Sequence, residues 1–326
     1  MKKRLMSGIQ PTGKMHLGNY FGAITNWVNL QHDYESYFVI VDLHSLTTIY
    51  EDPSQLRKNK LDLALDLIAA GIDPEQSYLF FQSDVPEHSE LHLLLSMITP
   101  LPWLTRVPTY KGKIKELKEK NLDTYGFLGY PVLQTADIIL YKAEVVPIGE
   151  DQLPHLELAR EIVRRFNSIY KTNYFPEPAA KMTKAAVLPG LDGRKMSKSY
   201  NNTIPLTGSS EEITKLVLRM FTDPNRKFKT DPGNPDICPV FEYHKLLANP
   251  DRFEIAANCR KASIGCVDCK KKCAQEITKI TEPIYQKRKE LENNLDYVKN
   301  VLQENALKVR EKTTKTITEI KNLVGL

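Results

Sequence analysis

A strand, a helix and a second strand follow one another over about forty residues near the start of this chain, and that succession constrains the fold more than any other feature. Tyr37-Phe38-Val39-Ile40-Val41, ending at Asp42, is a continuous apolar run of strand length, as expected for a strand buried on both faces. Leu56, Leu61, Leu63, Ala64, Leu67 and Ile68 recur at helical spacing up to Ala70, and Gly71 stops the helix. Tyr78-Leu79-Phe80-Phe81 is a second apolar run. Such a unit joins parallel strands through a right-handed crossover. Arg4-Leu5-Met6, leading into a Gly/Pro loop, and Val145-Val146-Pro147-Ile148 predict further strands. Leu153 to Phe166 predicts an amphipathic helix.

Beyond about residue 200 the strand signals fade. Ser209 and Glu212 make a capping box ahead of Ile213, Leu216, Val217, Met220 and Phe221. Asp223 to Pro239, with four prolines and a glycine, predicts a loop. From Thr278 to the C-terminus the chain is Lys/Glu-rich and helical in pattern, with Ile284, Leu291, Leu295, Val298 and Leu302 as apolar positions. The expected class is α/β followed by all-helical, and 326 residues exceed what one core usually organises.

Composition narrows the options: 41% hydrophobic and 26% charged residues exclude disorder, collagen and disulfide-knot scaffolds. No apolar run approaches the ~18–20 residues needed to span a bilayer. The basic start Met1-Lys2-Lys3-Arg4 meets Ser7, Gly8, Gln10 and Pro11 before any apolar stretch, so no signal peptide is expected. A net charge of +5 permits a nucleic-acid partner without demanding one. All five cysteines fall between Cys238 and Cys273. An odd count without an export signal points to reduced thiols in a cytoplasm, and their clustering points to a metal site.

Gly8 to Lys14 nearly forms a phosphate-binding P-loop, but Met15 stands where a hydroxyl must hold magnesium, and Pro11 removes a backbone N–H. Four residues on, His16-Leu17-Gly18-Asn19 lies between a strand and a helix continuing through Trp27, Val28 and Leu30. Free N–H groups at that helix start favour anions. Alone, the tetrapeptide reads as well as a polar loop with a helix cap. Lys195-Met196-Ser197-Lys198-Ser199 follows a Gly-containing loop, Pro189 to Arg194. Two lysines three apart on a flexible loop can close over a triphosphate and neutralise charge on departing pyrophosphate. Gly149-Glu150-Asp151-Gln152 follows a strand and opens a helix, where ligands bind in open parallel sheets.

The pair HLGN and KMSKS resembles the HIGH and KMSKS motifs of class I aminoacyl-tRNA synthetases. With Tyr130-Pro131-Val132-Leu133-Gln134-Thr135-Ala136-Asp137-Ile138, Ser7 to Pro11, Gly18-Asn19-Tyr20 and Gly149 to Gln152, the chain resembles bacterial tryptophanyl-tRNA synthetases along essentially its whole length. That resemblance implies a Rossmann-like catalytic domain over 1–200 and an α-helical, anticodon-binding domain over 201–326. It implies a homodimer that activates L-tryptophan with Mg²⁺-ATP and charges tRNA(Trp). Asp137 would accept the indole N–H, and Tyr130 and Gln152 would hold the amino-acid ammonium and carboxylate, with Ser7, His44 and Gln134 completing the tryptophan pocket. Gln134 replaces the Met of many relatives. Gln10, Pro11, Thr12, Gly18, Asn19, Gly149, Glu150 and Asp151 would line the ATP site, Val187 would touch adenine, and Lys195 to Ser199 would close over the phosphates. His16, Asn19, Lys195 and Lys198 would be catalytic. An ionised carboxylate is acceptor-only, so Asp137 suits a ring N–H. Its plainer reading is a helix N-cap shared with Thr135.

Cys238, Cys259, Cys266 and Cys269 have the spacing C-x20-C-x6-C-x2-C, with Cys273 four beyond the last. Four irregularly spaced thiolates suit a 4Fe–4S cluster or tetrahedral zinc. The stretch Ala262 to Lys271 resembles the subset of these synthetases that carries a 4Fe–4S cluster. Cys273 reads as a spare buried thiol. Lys270-Lys271-Lys272 is a solvated face or, beside an anticodon site, a phosphate contact. His32, His88 and His92 read as ordinary surface or core residues. A tyrosyl enzyme of the same class and a noncatalytic RNA-binding or redox-sensing paralogue are the competing readings. The first would carry other residues in place of Gly149 to Gln152, and the second has no need of both lysines.

Overall fold

The computed structural model describes residues 2–107, 112, 122–183 and 187–326. Among these, β1 (Arg4–Ile9), β2 (Glu35–Ile40), β3 (Tyr78–Phe81), β4 (Val145–Ile148) and β5 (Ala179–Met182) form one parallel sheet in the order β3-β2-β1-β4-β5. The expected α/β class is what the chain adopts. Phe38, Val39 and Ile40 on β2 are wholly buried, which is why that run is apolar without alternation. β1 continues through Ser7 and Gly8 to Ile9, past the expected loop start, because β2 supplies partners as far as the pair Ile9 and Ile40. A Cβ on Gly8 would lie 2.9 Å from Val41 Cγ1, so the strand needs a glycine there. β5, Ala179-Ala180-Lys181-Met182, is an exposed edge strand that no apolar run announces.

The first half adds seven helices that matter below: α1 over 17–30, α2 (Asp42–Ile49), α3 (Leu56–Ala69), α4 (Glu87–Ser96), α5 (Leu101–Arg106), α6 (Tyr130–Ile139) and α7 (Leu153–Ile169). α1 starts in α geometry at Leu17–Asn19, widens to π geometry over Tyr20–Ile24 and returns to α geometry at Thr25–Leu30. From β1 the chain moves outward to β2 and β3, then returns to place β4 on the other side of β1. The direction reverses between β1 and β4, so a crevice opens beyond the carboxyl ends of these two strands.

The later helices are α8 (Ser210–Leu218), α9 (Pro239–Leu246), α10 (Arg252–Arg260), α11 (Cys266–Glu292) and α12 (Leu295–Val324). Ser209 caps α8 by accepting the Glu212 N–H at 3.2 Å. α11 begins at Cys266, twelve residues before the expected start at Thr278. α11 packs on α3 and α8, and α12 packs on β3 and α4. One apolar core therefore runs from Leu5, Phe38 and Leu67 into Ile277, Leu291 and Val298 without a break. No helix among the described residues is long and apolar enough to cross a membrane.

Polar groups fasten the same contact. Arg288 on α11 is 5% exposed and Asp66 on α3 is fully buried. The guanidinium pairs with Asp66 Oδ1, donates to Asp62 O at 2.8 Å and Asp62 Oδ1 at 2.6 Å, and reaches Glu292 Oε1 at 2.8 Å. Asp66 also accepts the Met15 N–H at 2.9 Å and the Thr207 hydroxyl at 3.2 Å. Removing one partner of such a pair leaves a buried charge uncompensated. Arg288→Ala should lower the unfolding free energy in urea by about 3–5 kcal/mol. A loss below about 1 kcal/mol, the size seen for surface pairs, would show that α11 is held by apolar packing alone.

Candidate active site

A cavity of about 520 Å³ occupies the crevice at the ends of β1 and β4. β1 contributes Ser7 and Gln10, the turn after β4 contributes Gly149, Asp151 and Gln152, α2 contributes His44, and α6 contributes Tyr130, Gln134 and Asp137. All nine were expected from the sequence. Trp27, stacked on Phe38 at 4.8 Å, and His155, whose Nε2 is 3.4 Å from the Tyr130 hydroxyl, also line it and were not foreseen. Glu150 is exposed beside the mouth, and Val187 is 70% exposed and outside the lining.

Asp137 is not a helix N-cap. It lies in the last turn of α6, whose N-cap is Gly129, and Thr135 bonds back to Pro131 O instead. A carboxylate at a helix C-terminal end is opposed by the dipole and needs other compensation. It has two hydrogen-bond partners and a close imidazole contact. His44 Nε2 lies 2.9 Å from Oδ2, Gln82 Nε2 donates to Oδ1 at 2.7 Å, and His88 Nδ1 approaches Oδ1 at 2.7 Å. Burial alone would push this carboxyl up, but His88 and His44 outweigh it and hold Asp137 well below the usual carboxylate range. His88, read from sequence as ordinary, is fully buried and part of this cradle. Single-residue spacing gives no sign of it, since α4 reaches Asp137 only through tertiary packing.

The HLGN segment starts α1. His16 Nδ1 accepts the Asn19 N–H at 3.3 Å, and Asn19 Oδ1 accepts the His16 N–H at 3.2 Å, a reciprocal cap. Burial, then the Lys198 charge, lowers His16 to about 4, so the ring is neutral at pH 7 and carries its proton on Nε2. The KMSKS loop docks on this segment. Lys198 Nζ donates to Gly13 O at 2.9 Å and Thr12 Oγ1 at 3.2 Å, and Met196 Sδ accepts the Gly18 N–H at 3.4 Å. Leu17 N and Leu206 N bond to Ile204 O and Met15 O, tying the chain after the loop to the chain before α1. Asn202 accepts from Ser197 N–H at 2.8 Å and donates to Asp192 at 2.7 Å, giving the loop a fixed base. A Cβ on Gly190 would fall 2.3 Å from the Asn202 side chain, so that base requires a glycine. Lys195 and Ser199 are exposed. Pro11 is buried and outside the cavity lining.

The expected cysteine set also comes together. Cys238, Cys259, Cys266 and Cys269 line one small cavity with Arg226 and Ile264. Cys273 is buried outside it, near Val240 O. Burial raises Cys269 to about 12, with the neighbouring thiols adding to the shift, and pushes Cys238 and Cys259 up likewise. Two donors face the sulfurs: Arg226 Nη1 is 3.9 Å from Cys259 Sγ, and His244 Nε2 is 3.5 Å from Cys269 Sγ. Among the described residues no three His, Cys, Asp or Glu side chains converge to hold a single metal ion. Of the adjoining lysines, Lys270 is bonded to Leu218 O and Lys272 to Asp251, leaving Lys271 exposed.

Residues 2–282 match the family described as tRNA synthetases class I (W and Y). A Thermotoga maritima tryptophan–tRNA ligase is 48% identical, covering 99% of both chains, and one from Aquifex aeolicus is 42% identical, covering 99% of this chain and 100% of its own. A crystal structure of Campylobacter jejuni tryptophanyl-tRNA synthetase with ADP and tryptophan superposes with a TM-score of 0.90 at 33% identity, covering 99% of this chain and 100% of the other. The chain belongs to the class I tRNA synthetases of the tryptophan and tyrosine branch.

The lowered His16 value has a measurable consequence. Between about pH 6.5 and 4 the unfolded chain binds a proton at His16 that the folded chain refuses. Stability from this site is thus present above pH 6.5 and lost as pH falls through that window. His16→Asn keeps a cap acceptor but cannot titrate. In urea melts from pH 7 to 4.5 the parent midpoint should fall more steeply than that of His16→Asn, and parallel curves would contradict a neutral, buried His16.

Proposed function

We propose that this chain is a tryptophan–tRNA ligase. The observation that carries the reading is a buried, ionised carboxylate, Asp137, in the β1–β4 crevice, a cavity also lined by Gly22, Ala23 and Trp27 of the helix that the HLGN segment starts and the KMSKS loop docks on. Asp137 accepts the ring N–H of L-tryptophan, and a site built around that bond disfavours side chains lacking it. Tyr130 and Gln152 hold the ammonium and carboxylate, and Ser7, His44 and Gln134 complete the pocket. ATP enters as its Mg²⁺ complex beside Gln10, Thr12, Gly18, Asn19, Gly149 and Asp151. The tryptophan carboxylate oxygen attacks the α-phosphorus, the bond to the bridging oxygen breaks, and pyrophosphate leaves with its charge. Neutral His16, with Nε2–H free to donate, and Lys195 and Lys198 stabilise that charge. The chain adds positioning and electrostatics rather than a covalent intermediate. A terminal ribose hydroxyl of tRNA(Trp) then takes the aminoacyl group.

Residues 1–200 serve as the catalytic domain and 201–326 as the anticodon-binding domain in this reading. The protein acts as a homodimer in the cytoplasm. Leu93 and Met97, one helical turn apart, and Leu101 are 55, 71 and 60% exposed along α4 and α5, an apolar face suited to a second copy. The test of the activity is tryptophan-dependent exchange of pyrophosphate into ATP. Lys195→Ala and Lys198→Ala should each lower kcat by about 10²–10³ with a smaller change in tryptophan KM. Absence of exchange in the parent protein refutes the reading, and unchanged kcat in both variants removes the loop from the chemistry.

The four-cysteine cavity is proposed to hold a 4Fe–4S cluster, with zinc as the alternative. Burial and the neighbouring thiols oppose ionisation of Cys238, Cys259 and Cys269, which need a cationic centre to become thiolates together. What supports the reading is that all four line one cavity. When bound, the group supplies cross-linking between the 238 segment, α10 and α11, remote from the adenylate chemistry. Arg226 and His244 would donate to its thiolates. Cys266→Ser or Cys269→Ser should abolish brown colour and iron and destabilise the helical region, while pyrophosphate exchange survives at permissive temperature. Colourless, iron-free protein prepared without oxygen would eliminate the cluster, and its zinc content would decide the alternative.

A further inference from the structure

The cradle behind Asp137 extends away from the cavity. His88 is fully buried, and its Nε2 meets the Tyr141 hydroxyl in a short hydrogen bond. Tyr141 follows the end of α6, is 4% exposed, and stacks on Tyr37 at 4.4 Å. Neither His88 nor Tyr141 lines the cavity, so neither touches what binds there. Gln82, also fully buried, accepts the His44 N–H at 3.3 Å through Oε1 and so must present its amide nitrogen to Asp137.

The hydrogen-bond count fixes the proton positions. No other acceptor for the Tyr141 hydroxyl is found among the described residues, so it donates to His88 Nε2. That places the imidazole proton on Nδ1, the nitrogen that lies 2.7 Å from Asp137 Oδ1. With Gln82 donating to the same oxygen and His44 on Oδ2, two of the roughly four lone-pair positions of the carboxylate are filled, and the His88 ring at 2.7 Å covers a third. One acceptor position is left, and Asp137 lines the cavity. The arrangement keeps the carboxylate charged, prevents its rotation and leaves a single direction for a donor. Within a buried polar network of this kind, loss of one member disturbs the rest.

We propose that His88 and Tyr141 are specificity-determining positioning residues, a relay that orients Asp137 as the acceptor of the substrate's ring N–H. The inference rests on Asp137 being that acceptor. If Tyr141 cannot donate, His88 is free to carry its proton on Nε2 and to turn a lone pair toward Asp137. The carboxylate then loses the contact that fixes its direction toward a ring N–H, while a substrate without one loses nothing.

The test measures pyrophosphate exchange with L-tryptophan and with its benzothienyl isostere, in which sulfur replaces the ring N–H. The readout is the ratio of the two kcat/KM values. Tyr141→Phe keeps the ring and its stacking on Tyr37. It should lower the ratio about fivefold, through tryptophan KM with kcat and ATP KM nearly unchanged, as for loss of one neutral hydrogen bond. His88→Leu should lower it about tenfold. His88→Asn, whose amide nitrogen takes the place of Nδ1, should restore most of it. Equal losses for both substrates would mean a merely structural role and overturn the proposal, as would an unchanged ratio in Tyr141→Phe. Asp137→Asn in the same assay separates the two levels. If it leaves the ratio intact, Asp137 is not the acceptor and the underlying reading fails. If it collapses the ratio while Tyr141→Phe does not, only the relay is lost.

Discussion

One buried carboxylate joins the three parts of this molecule. Asp66 sits at zero exposure on α3 and takes Arg288 from α11, the Met15 N–H from the segment before α1, and the Thr207 hydroxyl from the segment after the KMSKS loop. Ionising a group at that depth is costly unless charge and hydrogen bonds compensate it, and here both are present. The compensation comes from chain positions more than two hundred residues apart, so the bond exists only when the helical region is seated on the sheet. His16 is the next residue after Met15. The geometry of the HLGN segment is therefore coupled to the seating of α11 through two bonds to one carboxylate.

Asp66 and Asp137 show how the same side chain serves two purposes in one fold. Asp66 meets a full guanidinium charge and is closed to anything else. Asp137 meets two imidazoles and an amide, which hold it ionised and leave acceptor capacity toward the cavity. Acceptor capacity, not charge alone, distinguishes a binding group from a structural one. The difference lies in the partners, and these are supplied by other elements.

The KMSKS loop follows a similar logic of fixed base and working tip. Asn202 and Asp192 anchor its ends, and Met196 is buried against Gly18. Lys198 rests on the backbone at Gly13, while Lys195 stays exposed. Burial pulls the Lys198 ammonium down from its ordinary value, since a carbonyl and a hydroxyl only partly replace the water it has lost. The loop thus stands beside the helix start, whose Leu17, Gly18 and Asn19 N–H groups bond to Ile204 O, Met196 Sδ and His16 Nδ1.

The sequence by itself determined the α/β class, because a strand buried on both faces must be apolar throughout and β2 is. It also determined the cavity wall, since Ser7, Gln10, Gly149, Asp151 and Gln152 sit at strand ends, where open parallel sheets bind ligands. The four thiols lie in a short stretch of chain and were legible for the same local reason. The tertiary structure alone decided the rest. β5 is an edge strand held by one neighbour, so it needs no apolar run. α11 starts at Cys266 because packing on α3 and α8 extends a helix whose first turns are polar. His88, Gln82 and Tyr141 became the support of Asp137, and Arg288 the clasp on Asp66, through contacts between residues dozens to hundreds of positions apart. A residue's period along the chain records which face it occupies, whereas its hydrogen-bond partner across the core is set by how whole elements dock.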